Sequence, residues 1–181
     1  MRLVLMGSAL VAAVAPVTAF AVDYLSADQA ARAMFPEADS FELRHLALDA
    51  NQLQQLKAQG LQPRAAVLAV REARQAGTRL GYVIVDEVIG KYELISYAVG
   101  IGLDGNLRQI EILSYRESHG FEVRLPAWRK QFVGKGPAAA LRVGEDIANI
   151  SGATLSCQHV TDGVRRLVAA VALVRRSGLL A

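Results

Sequence analysis

Between Ala65 and Tyr115 the chain sets four β-type segments end to end, "RAAVLAVREA", "LGYVIVDEVI", "YELISYAVGIGL" and "LRQIEILSY". They are rich in valine, isoleucine and tyrosine and are divided by turn residues, so they predict a four-stranded meander. Side chains alternate across a strand. The third segment therefore places Ile95, Tyr97, Val99, Ile101 and Leu103 on one face, and Tyr92, Leu94, Ser96 and Ala98 on the other. Asp104-Gly105-Asn106 predicts a tight turn between the third and fourth strands.

The flanking segments read as helices to cover that sheet. "LSADQAARAMFP" has Ser26 as a candidate N-cap with Gln29 at the capping-box spacing and Pro36 as a stop. "FELRHLALD" predicts a further strand, and "ANQLQQLKAQG" a helix ending at Gly60. After Tyr115 the alternation stops. Gly120, Pro126, Gly134, Gly136 and Pro137 mark a long loop with a short helix near Trp128 to Phe132. From Thr154 onward Val160, Val164, Leu167, Val168, Val171 and Val174 recur at helical spacing and predict a helix with one buried stripe. With 181 residues, 52% of them hydrophobic and 20% charged, this is enough chain for one well-filled core. The expected fold class is α+β: a single domain with an antiparallel β-meander packed against helices, and a C-terminal helix following the S-G-A-T motif.

Residues 1–21 read as a secretory leader. Arg2 precedes an apolar run of 15 residues, Leu3 to Val17, and "AFA" at Ala19 to Ala21 is a small-x-small cleavage pattern. That run is shorter than the ~20 residues a membrane-spanning helix needs. The mature chain is expected to begin near Val22 outside the cytoplasm, in the periplasm or an equivalent compartment. A formal charge of +3 with scattered arginines gives no ground for nucleic acid as a partner. Cys157 is the single cysteine, so no internal disulfide can form, and a buried, inert thiol is expected.

Several apparent motifs dissolve on inspection. "GIGLDG" at Gly100 to Gly105 matches G-x-G-x-x-G, but a dinucleotide fingerprint must open a helix, and "NLRQIEIL" continues as a strand. Its glycines suit a bulge and a hairpin turn. "GKG" at Gly134 to Gly136 lacks the spacing and hydroxyl of a P-loop. His45, His119 and His159 have no partners at metal-ligand intervals, so no metal site is expected. No nucleophile elbow or acid–base constellation marks a catalytic residue.

"SGATLSCQHV" at Ser151 to Val160 is different. Small residues ahead of Thr154 allow a bulky group close to the backbone, and a helix starting at Thr154 or Leu155 offers free N–H groups to an anion. On physical grounds alone the plainer reading is favoured, in which Ser151 or Thr154 is an ordinary helix cap.

"ISGATLS" closely resembles the S-G-A-T signature of the FMN-binding domain family, which includes flavinylated subunits of Rnf-type complexes and of the sodium-translocating NADH:quinone reductase. "GLDGNLRQIEILSYRESHG" is similar to that family's strand–turn–strand followed by an E-T-P-G loop, with Glu117, Ser118 and Gly120 on matching positions and His119 where proline is usual. The likeness runs from about Gly81 to about Arg166. It implies a flavin-binding core over residues 81–181, with residues 22–80 a helical and strand region of the same domain. It also implies FMN attached covalently through a phosphoester to Thr154, by a dedicated magnesium-dependent flavin transferase. Ser151, Gly152, Ala153 and Leu155 are then the neighbours of the phosphate, and Glu117, Ser118, His119 and Gly120 those of the flavin. Ala148 stands where the family usually has aspartate, with Asp146 and Asn149 nearby.

The function so implied is an exported electron carrier between a membrane donor and an extracytoplasmic acceptor. Its partners are the transferase and a cytochrome or quinone-linked reductase. The rival reading is an assembly module of a membrane redox complex that holds FMN noncovalently or not at all. Tyr97, Tyr115 and Trp128 are candidate stacking partners for the flavin, or else core.

Overall fold

In the computed structural model residues 22–178 are described, and the leader expected over 1–21 lies outside them. The meander forms as its alternation requires, and two further strands extend it. β1 (Val22–Asp23), β2 (Ser40–Ala47), β3 (Val67–Gln75), β4 (Thr78–Ile89), β5 (Leu94–Gly102) and β6 (Leu107–Tyr115) make one antiparallel sheet in the order β1-β6-β5-β4-β3-β2. The "FELRHLALD" segment is thus the edge partner of β3, while β1 closes on β6 through Val22 opposite Tyr115.

Ile95, Tyr97, Val99 and Ile101 share the main core, whereas Ala98 faces a smaller cluster on the other side. The ends of that segment depart from expectation. β5 stops at Gly102, and Leu103 is 44% exposed, because Asp104 closes the turn by accepting the Asn106 amide at 3.0 Å. Tyr92 lies before the strand begins, in the β4–β5 turn. The G-x-G-x-x-G glycines fall where a hairpin needs them, with an irregularity at Gly100/Ile101 and Gly105 in the left-handed region.

α1 (Ala27–Met34) begins with the predicted box: the Gln29 amide donates to Ser26 Oγ at 3.2 Å and the Ser26 amide to Gln29 Oε1 at 2.8 Å. It lays Ala30, Ala31, Met34 and Phe35 over Ala73, Val83, Ala98 and Leu113. α2 (Ala50–Ala58) and α4 (Thr154–Arg176) lie on the opposite, larger face. All six residues of the predicted α4 stripe, Val160, Val164, Leu167, Val168, Val171 and Val174, are buried there, each stabilising by roughly 1.5–3 kcal/mol.

α4 approaches the sheet closely at Gly163, where a β-carbon would stand 2.2 Å from the Tyr97 hydroxyl. Tyr97 donates to Asp86 at 3.1 Å, and Asp86 also takes Arg166 of α4 at 2.5 Å. This pins the helix in rotation and along its axis. Between β6 and α4 the long loop holds two 3₁₀ turns, Phe121–Arg124 and Lys130–Phe132, around the short helix α3 (Pro126–Arg129). Trp128, Phe132, Leu141 and Ile147 fasten this loop into the core.

Candidate functional site

α4 opens without a side-chain cap. Its N-cap is Ala153, whose methyl can accept nothing, so neither Ser151 nor Thr154 serves as the cap expected on physical grounds. The first helical bond runs from the Cys157 amide to the Ala153 carbonyl at 2.9 Å, leaving the amides of Thr154, Leu155 and Ser156 ahead of it. Gly152, at φ +82°, turns the chain into the helix, and a β-carbon there would meet nothing within 4 Å. Glycine is required at this point by conformation rather than by crowding. Thr154 is exposed on the first turn, with Oγ1 accepting a hydrogen bond from Asn149 Nδ2 at 3.0 Å.

The 117–120 loop packs against this mouth. Gly120, at φ +87°, lies so close to Ala153 that a β-carbon would be 2.5 Å from the alanine methyl. Tyr115, at the end of β6, is buried between the two segments. Its hydroxyl donates to the His119 carbonyl and meets Ser156 Oγ at 3.0 Å. Burial pushes the Tyr115 phenol up, so it stays protonated and able to donate.

The β4–β5 turn forms a third wall. Glu117 Oε1 accepts the amides of Lys91, Tyr92 (2.6 Å) and Glu93 (3.0 Å). Burial by itself would raise this carboxyl, but the three amides outweigh it and hold the group below the usual carboxylate range. From α4, His159 Nδ1 donates to the Ile89 carbonyl at 2.6 Å and lies 3.1 Å from that of Gly90. The turn is therefore bound to both the loop and the helix.

The three walls enclose an open cleft of about 340 Å³. Of the residues expected to hold a cofactor, Gly152, Ala153, Thr154, Leu155, Glu117, Ser118 and His119 line it. Gly120 lies beneath as packing and Ser151 is exposed beside it. Glu117 spends one oxygen on the turn rather than offering it freely to the cleft. Lys91, Tyr92 and Ser156 also line the cleft, and sequence reasoning missed them. Glu117 was legible as a motif position; its distant partners were not. Tyr97, Tyr115 and Trp128 are all core residues, the last donating from Nε1 to the Ala148 carbonyl at 2.8 Å.

The donor set suits a phosphate monoester or diester: an exposed hydroxyl, three leading helix amides and the positive end of a 23-residue helix. Among the described residues the side chain hydrogen-bonded to the Thr154 hydroxyl is an amide donor, Asn149 Nδ2, which cannot take its proton. Ala148 is exposed, and its backbone is held on both sides: its carbonyl by Trp128, its amide by Gln131 Oε1 at 2.7 Å. Asp146, two positions before Ala148 in sequence, accepts the amides of Leu141 (3.2 Å) and Arg142 (2.9 Å) and pairs with Lys135. Cys157 is buried, and burial pushes its thiol up. Among the described residues no group of three or more histidine, cysteine or acidic side chains could hold a metal, and no helix is long and apolar enough to cross a membrane.

Residues 90–169 match the family model of the FMN-binding domain, the family that "ISGATLS" resembles. The match begins at the β4–β5 turn rather than near Gly81 and ends within α4, so it contains all three walls of the cleft. No curated protein matches the chain.

Proposed function

From the premise that residues 90–169 form an FMN-binding domain, we propose that this protein is an exported electron carrier whose flavin is joined to Thr154 through a phosphoester. The observation that supports this best is the uncapped mouth of α4. It sets an exposed threonine hydroxyl beside the leading helix amides, which no intrahelical bond can reach, at the edge of a cleft large enough for a cofactor.

In forming the ester, Thr154 Oγ1 bonds to the flavin-side phosphorus of a flavin dinucleotide donor and gives its proton to a base of the transferase, while the phosphoanhydride P–O bond breaks and a nucleoside monophosphate leaves with its electron pair. With no base bonded to Thr154 among the described residues, a separate transferase supplies proton removal and activation. The resulting diester keeps one negative charge, which the helix end favours by ~0.3–1 kcal/mol. FMN, when bound, supplies reversible electron transfer through its ring; the chain's own residues orient it and set its surroundings. A secretory leader over residues 1–21 would deliver the chain to a compartment where a covalent tether prevents loss of cofactor. Its electrons would come from a membrane partner and pass to a cytochrome or a quinone-linked reductase.

Co-production of the chain with a flavin transferase tests the proposal. The expected result is a mass gain of one FMN residue and a fluorescent band in a denaturing gel, both absent from Thr154→Ala. An unmodified mass beside a competent transferase would refute covalent attachment. Ala148, at the family's aspartate position, favours a second reading in which FMN is held without a bond. That reading predicts a yellow solution and no fluorescent band.

A further inference from the structure

The most exposed large apolar side chain among the described residues is Tyr92, 75% exposed at the tip of the β4–β5 turn. A tyrosine so placed is usually mobile and incidental. Here the backbone beneath it is fixed from two directions, by three amides on Glu117 Oε1 and by His159 on the Ile89 carbonyl. Gly90 makes room for the first clamp, since a β-carbon there would stand 2.6 Å from that same carboxylate oxygen. Lys91 Nζ lies 4.8 Å from the centre of the Tyr92 ring, which restrains the side chain as well. None of this contributes to the core. It holds an aromatic surface in place at the rim of the cleft that also contains Thr154, with Leu155, 41% exposed, on the helix side.

We propose that Tyr92 is the seat of the flavin ring: a positioning residue that the Glu117 and His159 clamps hold in readiness, and against which the isoalloxazine stacks. This rests on the reading that the cleft binds FMN and does not require the bond to Thr154. Aromatic stacking is worth more than the area it buries, and a ring fixed before binding loses little entropy on contact.

The test uses the full chain co-produced with a flavin transferase, together with Tyr92→Leu and Tyr92→Phe. Mass reports whether Thr154 is loaded; flavin brightness and fluorescence anisotropy report the seat. In a loaded chain Tyr92→Leu should brighten the flavin several-fold, by removing a quenching phenol, and lower its anisotropy. Tyr92→Phe should brighten it while keeping the anisotropy, because the stack remains. Loaded chains in which the wild type and Tyr92→Leu agree in both signals would overturn the seat and leave the ester standing. If mass shows no loading, the same variants are titrated with free FMN. Tyr92→Leu should then bind about threefold to tenfold more weakly. Equal affinities, or no FMN held in any form, would overturn the proposal.

Discussion

Gly120 and Ala153 meet with no room for a further atom: a β-carbon on Gly120 would stand 2.5 Å from the methyl of Ala153, and 2.6 Å from the Tyr115 hydroxyl. Two segments far apart in sequence are joined through this contact. Gly120→Ala combines a left-handed backbone, worth about 1–2 kcal/mol, with overpacking worth about 1–3 kcal/mol. It should lower stability in urea by at least about 2 kcal/mol and reduce flavin loading in parallel.

Tyr115→Phe removes the hydroxyl that joins the His119 carbonyl to Ser156, leaving two polar groups short of a partner in a buried place. A loss of about 1–3 kcal/mol is expected by chemical denaturation. Hydrogen exchange should quicken in the 117–120 loop and the first turn of α4, with the sheet centre unchanged.

Acid should loosen the cleft before it unfolds the sheet. Glu117 has a carboxyl depressed in the folded state, so its contribution is present above the ordinary carboxylate value and is lost as pH falls through the lower folded one. The Lys91–Glu93 amides should therefore lose exchange protection in that acid window. Glu117→Gln should remove the pH dependence at the cost of about 1–2 kcal/mol at neutral pH.

Thr154 supports little of the fold. Its side chain is exposed and makes one hydrogen bond, with Asn149, so Thr154→Ala should stay within about 0.5 kcal/mol of the parent when both are free of flavin. Thermal melts of the unloaded proteins check this. On the proposed attachment, loss of loading in this variant would then be a chemical effect and not a folding defect.

Cys157 should react slowly. Its thiol is buried and pushed up by that burial, so a soluble thiol reagent should label it in urea and barely at all in the native state. Rapid native labelling would mean that the first turn of α4 opens readily.

Periodicity made the meander, the capping box of α1 and the α4 stripe legible, because each depends on residues close in sequence. The motif positions around Thr154 and Glu117 were legible through family likeness. What they do was not. The bonds from Glu117 to Lys91, Tyr92 and Glu93 cross 24 to 26 positions, and the His159 contact with Ile89 crosses 70. No local pattern encodes such a separation, so Tyr92 read as one face of a strand and Lys91 as unremarkable. Leu103 failed for a related reason: Asp104 ended the strand one residue before alternation alone would.

The bare mouth of α4 follows from a conflict over a single position. A serine or aspartate in place of Ala153 would satisfy a leading amide and add about 1 kcal/mol to the helix. The methyl there is already committed to its glycine neighbour, so the fold forgoes that contribution from its longest helix. On the proposed reading an anion seated in the mouth returns that deficit, and flavin-loaded molecules should outlast unloaded ones in heat and under proteases, so that cofactor attachment and survival would be linked.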